Sequence, residues 1–160
     1  MFFFGSKTSP NHCVSLDGTK VPWENQCKYL GVTLVSGRSF GCCVKETTSK
    51  FYKALNSILR IEGRSDDMVM LRLLEAHCIP ILTYAAEVIY VSNPNERRQL
   101  RVSYNAVYRK MFVYSYRESV TLLQHSLGRF TWEELLEKRK SDFLTRIRSC
   151  PPNSLIRAFT

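Results

Sequence analysis

Apolar and polar residues alternate along this chain with two different periods, and the change falls near Ser36. Before it, Lys28, Leu30, Val32 and Leu34 alternate with Tyr29, Gly31 and Thr33. A period of two that is rich in β-formers predicts a strand over Cys27 to Leu34. Gly31 interrupts it, and a glycine inside a strand marks a bulge or a close backbone approach. Upstream, Asp17-Gly18 separates His12-Cys13-Val14-Ser15-Leu16 from Thr19-Lys20-Val21. This dipeptide predicts a two-residue type I′ hairpin, whose central residues both need positive φ. Phe2 to Phe4 reads as a further strand. Three or four such strands make a sheet too small to stand alone, so helices are expected against one face.

After a turn-rich link from Val35 to Gly41 the period becomes helical. Val44, Phe51, Leu55 and Ile58 share one face of a helix expected from about Cys43 to Arg60 and closed at Glu62-Gly63. Ser65-Asp66-Asp67 offers a capping side chain for a second helix running to Ala76 or His77. Pro80 predicts a kink or break, with helix resuming through Tyr90, because proline lacks a donor and crowds the preceding turn. Asn93-Pro94-Asn95-Glu96 opens a long helix with a capping Asn, Pro at the first position and Glu three residues after the Asn. Leu100, Tyr104, Val107 and Met111 form its apolar stripe, while Arg98, Arg101, Asn105 and Arg109 recur on another face with Arg97 and Lys110 beside them. Glu118 to Leu127 predicts a short helix closed by Gly128. Thr131-Trp132-Glu133-Glu134 is a capping box for a last helix, with Trp132, Leu136, Phe143 and Ile147 towards the core and Pro151-Pro152 as its stop. The expected fold class is α+β, a small antiparallel sheet followed by a predominantly helical bundle.

Composition adds limits. At 44% hydrophobic and 12% aromatic residues the chain builds a packed core rather than a disordered coil. Its net charge of +9, from 23 Lys and Arg against 14 Asp and Glu, favours a polyanionic partner. The six cysteines, at 13, 27, 42, 43, 78 and 150, have the spacing of neither a zinc ribbon nor a redox pair. Free buried thiols in a reducing compartment are expected instead. The apolar run Cys78 to Val91 contains Pro80 and Glu87 and falls short of a membrane span, and the N-terminus is too short in apolar residues for a signal peptide. The expected protein is therefore soluble and intracellular, nuclear or cytoplasmic, without a membrane partner.

Three blocks then occur in order: Lys28-Tyr29-Leu30-Gly31-Val32, Phe51-Tyr52-Lys53-Ala54-Leu55 on a helix, and Ile79-Pro80-Ile81-Leu82-Thr83-Tyr84-Ala85-Ala86-Glu87-Val88. This arrangement resembles the downstream part of the reverse transcriptase of non-long-terminal-repeat (LINE-type) retrotransposons, over residues 1 to 118 with a weaker echo to the end. The resemblance implies a palm remnant with a primer-grip-like hairpin at 1–36, a thumb-like helical bundle at 41–118 and a C-terminal helical extension at 119–160. It further implies that Lys28, Tyr29, Leu30 and Gly31 meet the primer strand near its 3′ end. Chemistry agrees in part: Lys28 can neutralise a phosphate, Tyr29 offers a flat face, and Gly31 permits close approach. The plainer reading makes Tyr29 and Leu30 sheet core.

The stripe of Arg98, Arg101 and Arg109, with Lys110, is the second candidate surface, since a thumb meets the phosphates and sugars of an RNA–DNA hybrid. Between residues 96 and 118 six Lys or Arg face only Glu96 and Glu118. The plainer reading here is a solvated helix face. The last helix mixes Lys138, Arg139, Lys140, Arg146 and Arg148 with Glu133, Glu134, Glu137 and Asp142, which reads as structural.

Nucleotide transfer needs carboxylates that hold two metal ions. In the family these lie on an earlier strand and on a Tyr-x-Asp-Asp-like hairpin upstream of the primer grip, which places them before Met1. The sole Asp-Asp here, Asp66-Asp67, sits at an expected helix N-terminus. His12, His77 and His125 fit no nucleophile or metal pattern, and no glycine-rich phosphate loop is present. The expectation is a polymerase fragment that is no enzyme by itself, with no catalytic residues and no metal site or cofactor of its own, magnesium belonging only to the missing palm. Its expected partners are an RNA–DNA hybrid or RNA, and the missing palm and fingers segment in trans. A stand-alone helical protein-interaction module and an element remnant without activity are the alternatives.

Overall fold

The computed structural model describes residues 15–37, 41–61, 66–86 and 94–149. The expected strand at Phe2 to Phe4, the segment from His12 to Val14, the closing Glu62-Gly63, the helix from Glu87 to Tyr90, the Asn93 cap and the Pro151-Pro152 stop lie outside them. The fold is α+β, with two small antiparallel sheets and a helical remainder. The chain forms two compact units, residues 1–103 and 104–160.

In the first unit, β1 (Ser15–Leu16) pairs with β2 (Thr19–Lys20), Leu16 opposite Thr19. Asp17 at φ 50 and Gly18 at φ 74 occupy the two turn positions, as the Asp-Gly pair dictates. A second sheet has the order β3 (Gln26–Tyr29), β4 (Val32–Val35), β5 (Gly41–Cys43). The expected continuous strand from Cys27 to Leu34 is thus corrected to two strands folded back on each other, with Tyr29 opposite Val32. Leu30 at φ 45 and Gly31 at φ 79 form the connection. Gly31 is not a bulge but half of a type I′ turn. The alternation continued across the turn because a two-residue loop leaves the period intact.

Helix α1 (Lys45–Ile61) buries Phe51 and Leu55 completely, and Val44 just before it is equally enclosed. Helix α2 (Asp67–His77) starts where Asp66 Oδ1 accepts from the Met68 N–H at 3.1 Å. It buries Met70, Leu71 and Leu74, and the helix packs against α1 and α3. Each such side chain contributes about 1.5–3 kcal/mol by leaving water. Helix α3 (Ile79–Thr83) carries Pro80 in its first turn, where the missing donor costs nothing. It ends at once: Tyr84 is extended at φ −63, ψ 121, and Ala85 turns left-handed at φ 53. The helix expected to resume after Pro80 thus runs five residues before this sharp turn, Ala86 is helical again, and the expected stretch to Tyr90 lies outside the described residues.

Helix α4 (Pro94–Met111) belongs to both units. In the first, Leu100 is buried, and the Glu96 carboxylate accepts the Val44 N–H at 3.0 Å just ahead of α1. In the second, Tyr104, Val107 and Tyr108 are buried, and Tyr104 packs obliquely on Trp132 with ring centroids 5.5 Å apart. Helix α5 (Thr121–Ser126) begins three residues later than expected, because the Glu118 carboxylate is used in the preceding turn, accepting from the Ser115 N–H at 3.0 Å. Helix α6 (Trp132–Ser149) opens with the expected capping box: Glu134 accepts the Thr131 N–H at 2.7 Å. Trp132 and Leu136 are buried, whereas Phe143 is exposed, a correction to the expected core face.

Candidate nucleic-acid interface

The hairpin of β3 and β4 carries the first candidate site. Its turn places Tyr29 at 64% and Leu30 at 72% exposure, so neither is sheet core. Strand β3 is exposed along its whole length, while β4 is half-buried. Lys28 is not a free cation. Its Nζ lies 2.8 Å from Glu46 Oε1, which also meets Lys50 Nζ at 2.9 Å. These two hydrogen bonds, from Lys28 and then Lys50, hold the Glu46 carboxyl down to about 2. The cluster of two lysines and one glutamate keeps one positive charge in excess, so part of the charge available for a phosphate is already used.

Behind the turn stands Tyr84. Its hydroxyl donates to the Leu30 carbonyl at 2.8 Å. A methyl group on Gly31 would come within 3.2 Å of Tyr84 Cε1, so only glycine fits both the positive φ and the ring beside it. Gly31 does permit a close approach, as its position in the sequence suggested, and what approaches is the side chain of Tyr84, far along the chain.

The arginine stripe is divided. Arg98 and Arg101 are exposed on the part of α4 in the first unit. In the second unit, Asn105 Oδ1 accepts from the buried Gln124 at 3.2 Å, and Arg109 Nη2 donates to the Glu118 carbonyl at 3.0 Å. The Arg109 guanidinium also lies 5.7 Å from the Tyr116 ring centroid, within cation–π range. Arg109 thus closes the turn after its own helix. Lys110 is exposed, one residue round the helix from the stripe.

Among the described residues no group of three or more His, Cys, Asp and Glu could hold a metal ion. Asp66 is occupied as a cap. His77 ends α2 and is exposed, and His125 Nε2 lies 3.4 Å from Glu134. Cys27, Cys42, Cys43 and Cys78 are free thiols, and burial pushes the Cys42 and Cys78 thiols up, Cys42 further by the nearby Glu96 charge. Raised thiols are poor nucleophiles and poor ligands. Among the described residues no helix is long and apolar enough to cross a membrane.

Over 138 residues the chain is 26% identical to the probable RNA-directed DNA polymerase from transposon BS of Drosophila melanogaster. The chain is related to a transposon reverse transcriptase. The match covers 84% of this chain and 15% of that relative, so the chain spans a small part of the polymerase's length. The resemblance carried by the Lys-Tyr-Leu-Gly-Val block and the two helical blocks is borne out at the level of the family. No family model matches the chain, and no solved structure is significantly similar to it.

Glu46 and Tyr84 are partners of the hairpin that the sequence did not point to, although Tyr84 lies in the third of the matching blocks. Glu46 and Tyr84 meet the hairpin only through the tertiary fold, and no local pattern marks either. The one available sign, an aromatic residue just after a proline-started helix, is common to many helix ends.

Proposed function

We propose that this chain is a reverse-transcriptase segment that binds template and primer and does not itself transfer nucleotides. In this reading residues 1–36 are a palm remnant whose β3–β4 hairpin serves as primer grip, 41–118 a thumb, and 119–160 a helical extension. The similarity to the transposon polymerase carries the proposal. The exposed tip supports it: a flat aromatic face at Tyr29, an apolar Leu30 and a cationic Lys28 are the groups that sugars, bases and phosphates of a primer strand require. Arg98 and Arg101 supply phosphate contacts, and Arg109 and Lys110 stand further along the same helix. Arg109 acts chiefly through the turn that it closes. In this reading nucleotide transfer, with the magnesium it needs, belongs to another part of the polymerase. The partner is an RNA–DNA hybrid or RNA, with the palm and fingers in trans.

Fluorescence anisotropy with an RNA–DNA hybrid at low and moderate salt tests this. Wild type binds at low salt and weakens steeply as salt rises, because released counterions drive the association. An Arg98→Ala, Arg101→Ala double variant keeps its circular dichroism and reduces the slope of log K against log salt by about 2. A folded wild-type chain that binds no hybrid at low salt sinks the reading. A second reading, a helical module that docks a protein, is favoured by the exposed Phe143 and Leu144 on α6. Such an apolar interface changes little with salt, so the same titration against a captured partner separates the two.

A further inference from the structure

Strain and exposure coincide at one place in the first unit. Leu30 takes φ 45 and Ala85 takes φ 53, left-handed conformations that residues with a Cβ rarely adopt. Asn or Gly is the usual first residue of a type I′ turn, yet an exposed leucine stands there. Between these strained residues lies one hydrogen bond, Tyr84 Oη to the Leu30 carbonyl, and one tight ring contact, Tyr84 against Gly31. Tyr84 is itself 57% exposed, so burial does not explain its place. The abrupt end of α3 throws Tyr84 out of the helix and brings its hydroxyl to the turn. Strained positions that neighbours hold in this way cluster at binding sites, where the strain fixes a side chain in a presented position.

We propose that Tyr84 is the positioning residue of the hairpin tip, holding the Leu30–Gly31 turn in its strained form so that Leu30 and Tyr29 are presented to a nucleic-acid strand. The proposal rests on the hybrid-binding reading. Without the hydroxyl the turn samples other conformations, and the bound strand has to select the presented one. The affinity then falls by the fraction of chains in the competent form.

Tyr84→Phe keeps the ring beside Gly31 and removes only the hydroxyl. Amide hydrogen exchange at Val32, which pairs with Tyr29 across the turn, should speed up while the melting temperature of the whole chain is unchanged, and hybrid binding should weaken by about five-fold, the equivalent of one net hydrogen bond. Leu30→Asn gives an independent check. Asn suits the left-handed position, so the turn no longer needs the latch. In the Leu30→Asn background, adding Tyr84→Phe should leave exchange at Val32 nearly unchanged. Unaltered exchange at Val32 in Tyr84→Phe, hybrid affinity within about two-fold of wild type, or equal exchange effects in both backgrounds overturns the proposal and leaves the binding reading standing. A wild-type chain that binds no hybrid overturns both.

Discussion

Gly31 and Val113 show how much a single backbone angle decides. Gly31 sits at φ 79 with Tyr84 Cε1 only 3.2 Å from where a Cβ would be. Gly31→Ala therefore meets both a left-handed backbone and a ring, and should destabilise the first unit by about 1–2 kcal/mol from the backbone alone. Equilibrium urea unfolding measures it, and an unchanged midpoint counts against the geometry. Val113 is the opposite case. It takes φ 56 just past α4, where the Tyr114 N–H closes back on the Arg109 carbonyl at 2.9 Å, and it is 90% exposed. The position has the form of a helix C-cap that glycine usually fills, and a β-branched residue gains no packing there in return. Val113→Gly should raise stability by up to about 1 kcal/mol, read from the same unfolding curves. Both positions are legible only once φ is known, since a Leu-Gly pair in an alternating run and a Val in a tyrosine-rich turn look ordinary in the sequence.

At the scale of elements, the junction of β3 with α1 depends on charge. Glu46 is held down to about 2 from an ordinary 4.5 by Lys28 and Lys50. A depressed carboxyl contributes stability that is fully present above its unfolded value and is lost as pH falls through its folded value. The contribution of this cluster should therefore decline between pH 4.5 and 2. The cluster is exposed, so screening keeps the effect small and high salt should shrink it. Denaturant unfolding at both ends of that window, compared with Glu46→Gln, checks it: an acid dependence that the variant leaves untouched would remove Glu46 as its source. The caps behave differently. Asp66 at α2 and the Thr131–Glu134 box at α6 satisfy backbone donors within their own turns. Their partners lie three residues away or fewer, which is why both helix starts could be read directly from the sequence.

For the whole molecule, the exposed β3 edge is the main liability. Among the described residues β3 pairs only with β4, no described strand lies on its other side, and its residues are exposed. Such an edge recruits further strands. The isolated chain should self-associate as its concentration rises, and Cys27→Lys, which adds a charge on this edge, should reduce it. Light scattering across a concentration series decides the matter, and a monodisperse wild-type monomer throughout would sink the expectation.

The sequence by itself determined the α+β class, the Asp17-Gly18 turn, the starts of α2 and α6 and the apolar stripe of α4. Those features depend on hydrophobic period and on hydrogen bonds within a few residues, and both are written locally. It also carried a resemblance to transposon reverse transcriptases, with which the 26% identity to a transposon RNA-directed DNA polymerase agrees. Only the tertiary structure decided that the Cys27–Leu34 run folds back on itself, that Arg109 is committed to Glu118, and that Phe143 faces solvent. It alone brought Glu46 to Lys28 and Tyr84 to Leu30. These are contacts between residues far apart in the chain, fixed by how helices and strands pack, and no spacing along the sequence encodes them.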